Sequence, residues 1–344
     1  MRRPATTLLT VTTLLAATAA TVLGGPVLLA APALAQPVIR VQYIVPVDQM
    51  ISLMEIPAIQ QTVLKNWGKR YKMDIGRAQG TPFLVTAMAA GEADVAFLAY
   101  NSFASAVIKN VVPGGLTIVG SDFYDAQADY YNFHWLALAD APINSVKDLK
   151  GKKIGVLAIG TGADATTRLM LKKTGLDPVK DVSIVEIPAP AMEEAVRSKR
   201  IDAGFFASFF YYKAMGAGGM KTVFDSLQAW GTPYVFSFIV ARNDYLKKSP
   251  DAVRGFLEDY VAMLQYVQKP ENRDAVIDMV NARFKAPKPV LQQFYLTKKD
   301  MYRRPDARLV PEDLQHALTK LHELGFLEQD VPVAKYVDNS YLPR

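Results

Sequence analysis

The sequence predicts a two-lobed α/β protein in which each lobe has a central, mostly parallel sheet flanked by helices. Three observations support this prediction. Apolar segments of strand length alternate with segments of helical periodicity, which is the pattern of parallel sheets. The chain of 344 residues is long for a single hydrophobic core. A helix-turn-strand unit also occurs twice, once in each half of the chain.

The elements of the first lobe begin near the first apolar strand pattern. A strand is predicted at 38–46, a helix from residue 56 to near Gly68, and a strand with its exit loop at 72–80. Thr81 and Pro82 stand in the order expected of a cap and the first turn of the next helix. The apolar segments "DVAFLAY" and "LTIVGSDF" then predict two further strands.

A second lobe is predicted to be inserted into the first. The segment "NFHWLALADAP" leads into a strand at 153–159 and a helix at 164–174, after which the alternation continues. The segment "YVFSFIVARNDYL" predicts a strand that returns to the first lobe, and the sequence is mainly helical from Ser249 onward. The predicted boundaries are 36–133 and 237–344 for the first lobe and 134–236 for the second, with two crossing strands as the hinge.

The repeated unit places an aspartate before a strand in each lobe. "AMAAGEADVAF" at 87–97 aligns without gaps with "AVRSKRIDAGF" at 195–205, so that Asp94 matches Asp202. Two carboxylates in equivalent positions invite a catalytic interpretation. Because each precedes its strand, we expect it at the sheet edge opposite the ligand-facing edge, and we interpret both as turn residues.

The first 35 residues have the pattern of a signal peptide. Arg2 and Arg3 precede a long apolar segment without acidic residues, and the A-x-A pattern at 33–35 predicts cleavage before Gln36. The segment is also long enough for a transmembrane anchor, but two prolines interrupt it. The arginine pair raises the twin-arginine export route, whereas the following residues "PATT" favour general secretion. We therefore expect a soluble, exported protein.

Composition excludes several classes of function. The chain has no cysteine, which excludes disulfides and thiolate metal sites. Its 39 Lys and Arg residues only slightly outnumber its 33 Asp and Glu residues, and they form no basic run of the kind that binds nucleic acid. Its three histidines lie in no metalloprotease motif, and no nucleophile motif is present. We expect no catalysis, no cofactor and no metal.

The segment "LAIGTGADATTRLML" at 157–171 predicts a strand, a glycine-rich turn and a helix. The spacing Gly160-x-Gly162-x-x-Ala165 fits the dinucleotide fingerprint, and Glu186 follows near the expected position of a ribose-binding acid. Two observations oppose this hypothesis. The protein is predicted to be exported, and the sequence lacks a second mononucleotide-binding half, which a dinucleotide-binding fold requires. The same geometry suits another anion, because amide groups at a helix N-terminus bind carboxylates and sulfonates.

The anion hypothesis assigns roles to each residue of this turn. The amides of Thr161, Gly162 and Ala163 and the Thr161 hydroxyl are the expected donors, while Gly160 and Gly162 allow the turn and a close approach. Asp164 is expected either to cap its own helix or to contact a donor group of the ligand. A helix start without any ligand is the remaining alternative.

Several segments resemble the periplasmic solute-binding proteins for taurine, alkanesulfonates and nitrate, the NMT1-like family. These segments are "APINSVKDLKGKKIGVLAIGTGADATTRLMLKKTGL", "AGEADVAFLAYNSFA", "RIDAGFFASFFYY" and the terminal "YVDNSYLPR". The resemblance covers essentially the whole mature chain. It implies the type II periplasmic binding fold and a periplasmic monomer. It also implies that an inner-membrane ABC permease with its cytoplasmic ATPase receives the ligand.

The resemblance also implies the positions of the ligand-binding residues, at strand exits of both lobes. They are Gln49, Met50, Gln79, Gly80, Tyr100, Asn101, Ser102, Gly160, Thr161, Gly162, Ala163, Ala207, Ser208 and Phe209. Sulfonate binders tend to have several hydroxyls in the second-lobe turn, whereas this chain has only Thr161. Whether Arg77, the basic residue nearest the second strand exit, contacts the ligand is left open.

Aromatic residues cluster at the predicted strand exits. They include "FFASFFYY" at 205–212 together with Tyr100, Phe103, Tyr124 and Trp230. Either they pack in the core, as Phe205 and Phe209 would by alternation, or they contact an aromatic or otherwise bulky ligand. The expected ligand is a small organic anion, a sulfonate or a carboxylate. A pyrimidine-type thiamine precursor is the alternative, and an exported sensor or chaperone-like protein is an alternative of another class.

The cleavage motif makes a direct prediction about the exported protein. Its first residue should be Gln36, or pyroglutamate formed from it, because the A-x-A pattern ends at Ala35. N-terminal sequencing of the periplasmic fraction checks this. Recovery of the chain with Met1 intact in the membrane fraction would contradict it.

Overall fold

A computed structural model describes residues 36–344, which form two five-stranded sheets flanked by helices. The predicted signal peptide, residues 1–35, lies outside the described residues. The strands are β1 Val38–Tyr43, β2 Lys72–Arg77, β3 Val95–Ala99, β4 Leu116–Asp125, β5 His134–Leu138, β6 Lys153–Val156, β7 Ser183–Glu186, β8 Ala203–Phe206, β9 Met220–Asp225 and β10 Tyr234–Arg242.

The helices connect these strands and cover the sheets. They are α1 Pro57–Thr62, α2 Thr81–Ala89, α3 Tyr100–Ile108, α4 Gly162–Lys173, α5 Ala189–Arg197, α6 Ser208–Gly216, α7 Ser226–Trp230, α8 Asn243–Lys248, α9 Pro250–Val267, α10 Arg273–Phe284, α11 Lys288–Phe294 and α12 Pro311–Glu323. In the described residues no helix is long and apolar enough to cross a membrane.

The two sheets have the same topology. The strand order is β2-β1-β3-β10-β4 in the first sheet and β7-β6-β8-β5-β9 in the second. In each sheet the fourth strand runs antiparallel to both neighbours, and the remaining strands are parallel to one another. The predicted fold class, two lobes with mostly parallel sheets flanked by helices, is confirmed.

The chain passes between the two sheets twice. Residues 126–133 connect β4 to β5, and residues 226–233, which include α7, connect β9 back to β10. The first sheet therefore takes its strands from both sides of the segment that builds the second. The strand β9 and the helix α7 were not among the elements predicted from the sequence.

The predicted helix from residue 56 to Gly68 is much shorter in the structure. Helix α1 ends at Thr62, because the carboxylate of Asp259 on α9 accepts hydrogen bonds from the amides of Asn66 and Trp67. These contacts turn the chain away from the helical path. The cap of α2 also differs: Gly80 is the N-cap residue, and Thr81 lies in the first turn.

Asp94 and Asp202 have equivalent structural roles in the two lobes. The Asp94 carboxylate accepts hydrogen bonds from the Arg40 amide in β1 (3.0 Å) and from the Arg40 guanidinium (2.9 Å). The Asp202 carboxylate accepts one from the Lys153 amide in β6 (2.8 Å). Each aspartate thus ties the start of one strand to its neighbour, at the sheet edge opposite the carboxyl ends of the parallel strands.

The different burial of the two aspartates makes a prediction about stability. Asp94→Ala should lower the free energy of unfolding by about 1–3 kcal/mol, because it removes a buried acceptor that receives hydrogen bonds from the Arg40 amide and guanidinium. Asp202→Ala should cost less, because Asp202 is partly exposed and water can replace it. Urea denaturation of the mature variants checks this. A larger loss for Asp202→Ala would contradict the assignment.

Candidate functional site

A small cavity of about 50 Å³ lies where the carboxyl ends of the parallel strands of both lobes face each other. A volume of this size holds only a few water molecules. The wall consists of Ile44, Val45, Asp48, Gln49, Thr81, Ala99, Phe123, Phe133, Leu157, Thr161, Gly162, Ala163, Phe205, Ala207, Phe236 and Ser237. Gln49, Thr161, Gly162, Ala163 and Ala207 are the sequence-predicted site residues that line it.

Four phenylalanines form a continuous aromatic wall. The ring of Phe236 in β10 stacks on Phe123 in β4, with centroids 5.4 Å apart, and contacts Phe133 at 4.7 Å. Phe133 in turn contacts Phe205 at 4.9 Å, so the wall continues from one lobe into the other. Sequence reasoning singled out only Phe205 among them. The other three lie in β4, in β10 and in the connection between β4 and β5. Their location in the segments that lead from one predicted lobe to the other is the sequence feature that could have identified them.

The turn before α4 presents amide groups to the cavity. Gly160 has φ of +80°, a conformation that favours glycine. The Thr161 hydroxyl donates to the Ala158 carbonyl (2.7 Å) and accepts from the Asp164 amide, so it serves the turn itself. In the described chain the amides of Gly162 and Ala163, at the start of the helix, donate to no protein group.

The acidic residues near this turn also serve the turn. The Asp164 carboxylate accepts from the Gly160 amide (2.9 Å) and from Arg168 on the same helix (2.8 Å). Thr161 is the N-cap residue of α4, whereas the Asp164 carboxylate holds the turn before it, and Asp164 does not line the cavity. Glu186, the acid of the dinucleotide hypothesis, accepts from the Ile159 amide (2.7 Å) and is used in the same way.

Tyr100, Asn101 and Ser102 bind the second lobe directly. The Tyr100 hydroxyl donates to the Gly162 carbonyl (3.1 Å). The Asn101 amide group and the Ser102 hydroxyl both donate to the Gly160 carbonyl, each at 2.7 Å. Because α3 begins at Tyr100, these side chains lie on its first turn and reach across to the second lobe. They hold the lobes together and do not line the cavity.

A buried carboxylate joins the lobes on the other side of the cavity. Asp48 follows β1 in the first lobe and accepts hydrogen bonds from the Ser208 hydroxyl (2.6 Å) and the Ser208 amide (3.2 Å) at the start of α6. Arg303 donates to the Asp48 carbonyl (2.8 Å) and fixes the loop. Burial raises the pKa of Asp48 to about 7. The sequence did not single out this residue.

Gln49 and Gly80 are occupied by contacts within the protein. The Gln49 side-chain oxygen accepts from the amides of Ile44 (2.6 Å) and Val45 (3.1 Å) and thereby shapes the loop after β1. A Cβ atom on Gly80 would lie 2.8 Å from the Ala158 side chain, so glycine permits the close approach of the lobes there.

The other predicted site residues lie outside the cavity wall. Met50 is buried in the core of the first lobe. Trp230 lies behind α4, where its indole donates to the Thr166 hydroxyl (3.0 Å). Gln79 donates to the Leu157 carbonyl (3.4 Å), and it lines an adjacent groove together with Phe209 and Arg77.

The described residues contain no group of three His, Asp or Glu side chains that could hold a metal ion. His134 in β5 stacks on Tyr211 (4.2 Å), and burial lowers its pKa to about 4. His316 and His322 both lie on α12, away from the cavity. The cavity wall can enclose a small molecule between apolar rings, free amides and one carboxylate.

The two similar lobes, joined by two connections with a cavity between them, have the two-lobed architecture of the periplasmic binding protein fold. Residues 126–272 match the family model described as NMT1/THI5 like. The resemblance to NMT1-like periplasmic solute-binding proteins is thereby confirmed. A sequence search of the curated proteins found no match.

Solved structures share this fold at low sequence identity. The periplasmic aliphatic sulphonate binding protein SsuA from Escherichia coli is 18% identical with a TM-score of 0.66, and the match covers 88% of this chain and 92% of that one. The alkanesulfonate-binding SsuA from Xanthomonas axonopodis pv. citri, bound to MOPS, is 18% identical with a TM-score of 0.69, covering 88% and 99%. The periplasmic nitrate-binding protein NrtA from Synechocystis PCC 6803 is 13% identical with a TM-score of 0.70, covering 89% and 87%.

The raised pKa of Asp48 predicts a pH-dependent contribution to stability. Because its folded pKa of about 7 lies above the ordinary aspartate pKa of 3.8, this contribution is full at low pH and is lost as pH rises through about 7. The unfolding free energy of the wild type should therefore rise, relative to Asp48→Asn, as pH falls from 8 to 5. Urea denaturation at several pH values measures this difference.

Asp74→Asn, at an exposed position of β2, is the matched control for the loss of one aspartate. A difference between wild type and Asp48→Asn that stays constant over this pH range would contradict the prediction.

Proposed function

We propose that this protein is the periplasmic ligand-binding component of an ABC importer that captures a small organic anion between its lobes. The ligand is an aromatic or otherwise bulky carboxylate or sulfonate. The observation that carries this proposal is the cavity, where unpartnered amides of a helix N-terminus face a wall of phenylalanine rings. The protein acts as a monomer and delivers its ligand to an inner-membrane permease with a cytoplasmic ATPase.

Helix N-termini supply the attraction for an anion. The helices α2, α3, α4 and α6 all begin at the cavity wall, and each N-terminus carries a partial positive charge. The α6 terminus already binds the carboxylate of Asp48, whereas the Gly162 and Ala163 amides of α4 remain free. No lysine or arginine lines the cavity in residues 36–344. A singly charged group held by amides therefore suits the site best.

The phenylalanine wall suits an apolar or aromatic ligand body. Rings of Phe123, Phe133, Phe205 and Phe236 offer faces and edges for stacking. Sites for organic ligands usually occupy about 300–1,000 Å³, well above the volume of this cavity. Binding of such a ligand therefore requires the lobes to separate by movement of the two connections, 126–133 and 226–233.

Asp48 favours one second candidate, a pyrimidine-type thiamine precursor. The exocyclic amino group of such a heterocycle donates hydrogen bonds, and Asp48 is a carboxylate in the cavity wall that can accept them. The ring itself would lie against the same phenylalanines. This candidate needs no anionic group, and so the two functions predict different ligands.

A thermal-shift screen of the mature protein separates the candidates. The panel contains aliphatic and aromatic sulfonates, aromatic carboxylates, nitrate and aminopyrimidines, and each sample is examined for turnover. A ligand at 100 times its dissociation constant should stabilise the folded state by about 2.7 kcal/mol. Stabilisation by aminopyrimidines alone would favour the second candidate. Stabilisation by none of the panel would favour a sensor or chaperone-like protein.

Gly162 provides a specific test of ligand binding beside the start of α4. A Cβ atom there would lie 2.6 Å from the Phe236 ring and 3.0 Å from the Tyr100 ring. Gly162→Ala should therefore obstruct the space between the free amides and the Phe236 ring and weaken ligand binding by about 1–3 kcal/mol, and Gly162→Val by more. Isothermal titration with the best compound of the screen measures the change.

Gly216→Ala is the matched control, because a Cβ atom at Gly216 meets no other atom within 4 Å. Circular dichroism verifies that each variant folds. Wild-type affinity in Gly162→Val would rule out ligand capture beside the start of α4.

A further inference from the structure

An open groove of about 560 Å³ adjoins the cavity at the edge of the cleft. The two spaces share Ile44, Val45 and Leu157 in their walls, so these residues separate a buried compartment from an exposed one. The first lobe contributes the exits of β1 and β2 and the end of α10, and the second lobe contributes the starts of α5 and α6. Closure of the lobes therefore shapes the groove as well as the cavity.

The charged side chains that line this groove are cationic. Arg77, Arg283 and Lys285 line it, and no lining residue is acidic. Arg283 forms an ion pair with Glu55 at 2.6 Å. In the described chain Arg77 and Lys285 form no ion pair, and both are exposed. Among residues 36–344 the groove therefore carries two unpaired positive charges, whereas the only charged residue of the cavity wall is Asp48.

The rest of the groove is suited to an organic molecule. Phe209, Phe210 and Phe284 are half-buried in its wall, and the Phe209 and Phe210 rings meet edge to face at 5.2 Å. Pro188 and Pro190, at the start of α5, stiffen the second-lobe side. Apolar rings beside fixed cations are the combination that binds amphipathic anions.

A groove on the other side of the cleft lacks this charge pattern. It occupies about 670 Å³, and its charged lining residues are Lys109, Asp164, Arg168 and Glu328. Asp164 and Arg168 form an ion pair at 2.8 Å, so charges of both signs balance there. The excess of positive charge is thus a property of one side of the cleft and not of its whole rim.

We propose that the groove lined by Arg77 and Lys285 binds a second, anionic end of the ligand. The ligand is then an elongated molecule with one polar end at the start of α4, an apolar middle, and an anionic group outside the cavity. This inference rests on the proposed function, because it extends the same ligand beyond the cavity. Together the groove and the cavity fall within the usual size of small-molecule sites.

The test uses benzoate, benzene-1,4-dicarboxylate and biphenyl-4,4′-dicarboxylate, with the monoamide of each diacid as its neutral-ended match. Isothermal titration measures their affinity for the mature wild type and for the double variant Arg77→Gln/Lys285→Gln. At least one diacid should bind the wild type about 3- to 20-fold more tightly than its monoamide, as two partly exposed ion pairs allow. The double variant should lose this advantage and bind the monoamide as before.

Lys199→Gln is the control for the loss of an exposed lysine, because Lys199 and Lys285 share a left-handed backbone, with φ of 59° and 58°. Lys199 lies at the turn before Asp202, at the opposite edge of the second sheet. Equal affinity of every diacid and its monoamide would overturn the groove proposal. So would equal losses for both compounds in the double variant.

The two proposals fail in distinguishable ways. Suppose that benzoate binds the wild type, that Gly162→Ala lowers this affinity, and that a second carboxylate on the ligand does not raise it. The proposed function then stands and the groove proposal is overturned. If none of the acids binds the wild type at millimolar concentration, the groove proposal is overturned, and the proposed function is overturned as well only if the sulfonates of the thermal-shift screen also fail to bind.

Discussion

The contact between the carbonyls of the second-lobe turn and the first turn of α3 is the interaction on which the site depends. Tyr100, Asn101 and Ser102 donate to Gly160 and Gly162 and thereby place the start of α4 against the first lobe. This approach requires that position 162 has no side chain, because Phe236 and Tyr100 occupy the space of a Cβ atom. One contact thus positions the free amides, the aromatic wall and the closed cavity together.

Buried aspartates hold the remaining parts of the cleft. Asp48 joins the loop after β1 to the start of α6, and Asp125 lies where the two connections meet. The Asp125 carboxylate accepts from Ser226 (2.6 Å), from the Phe133 amide (3.3 Å) and from Tyr234 (2.8 Å), so it binds both connections at once. Burial raises the pKa of Asp125 to about 6. The same residues that position the lobes therefore also make stability depend on pH, because their contribution is full at low pH and is lost as the pH rises through about 6 to 7.

Charge divides the cleft into two unlike compartments. The cavity holds apolar rings, free amides and one carboxylate, whereas the groove beside it holds unpaired cations and half-buried rings. A ligand with two different ends suits such a division better than a small symmetrical ion does. The single hydroxyl in the turn, Thr161, donates to the Ala158 carbonyl and is engaged within the turn.

Local patterns in the sequence were sufficient for the two-lobed α/β class, for the strand-turn-helix unit that ends in α4, and for the structural interpretation of Asp94 and Asp202. Each depends on residues close in sequence, where periodicity, glycine and capping preferences act directly. The early end of α1 depended on Asp259, nearly 200 residues away, and no local pattern contains that contact. The cavity wall likewise combines Asp48, Phe133 and Phe236 from three distant segments. Which side chains line a site between lobes is set by how the lobes pack, and packing is a property of the folded chain rather than of any one segment.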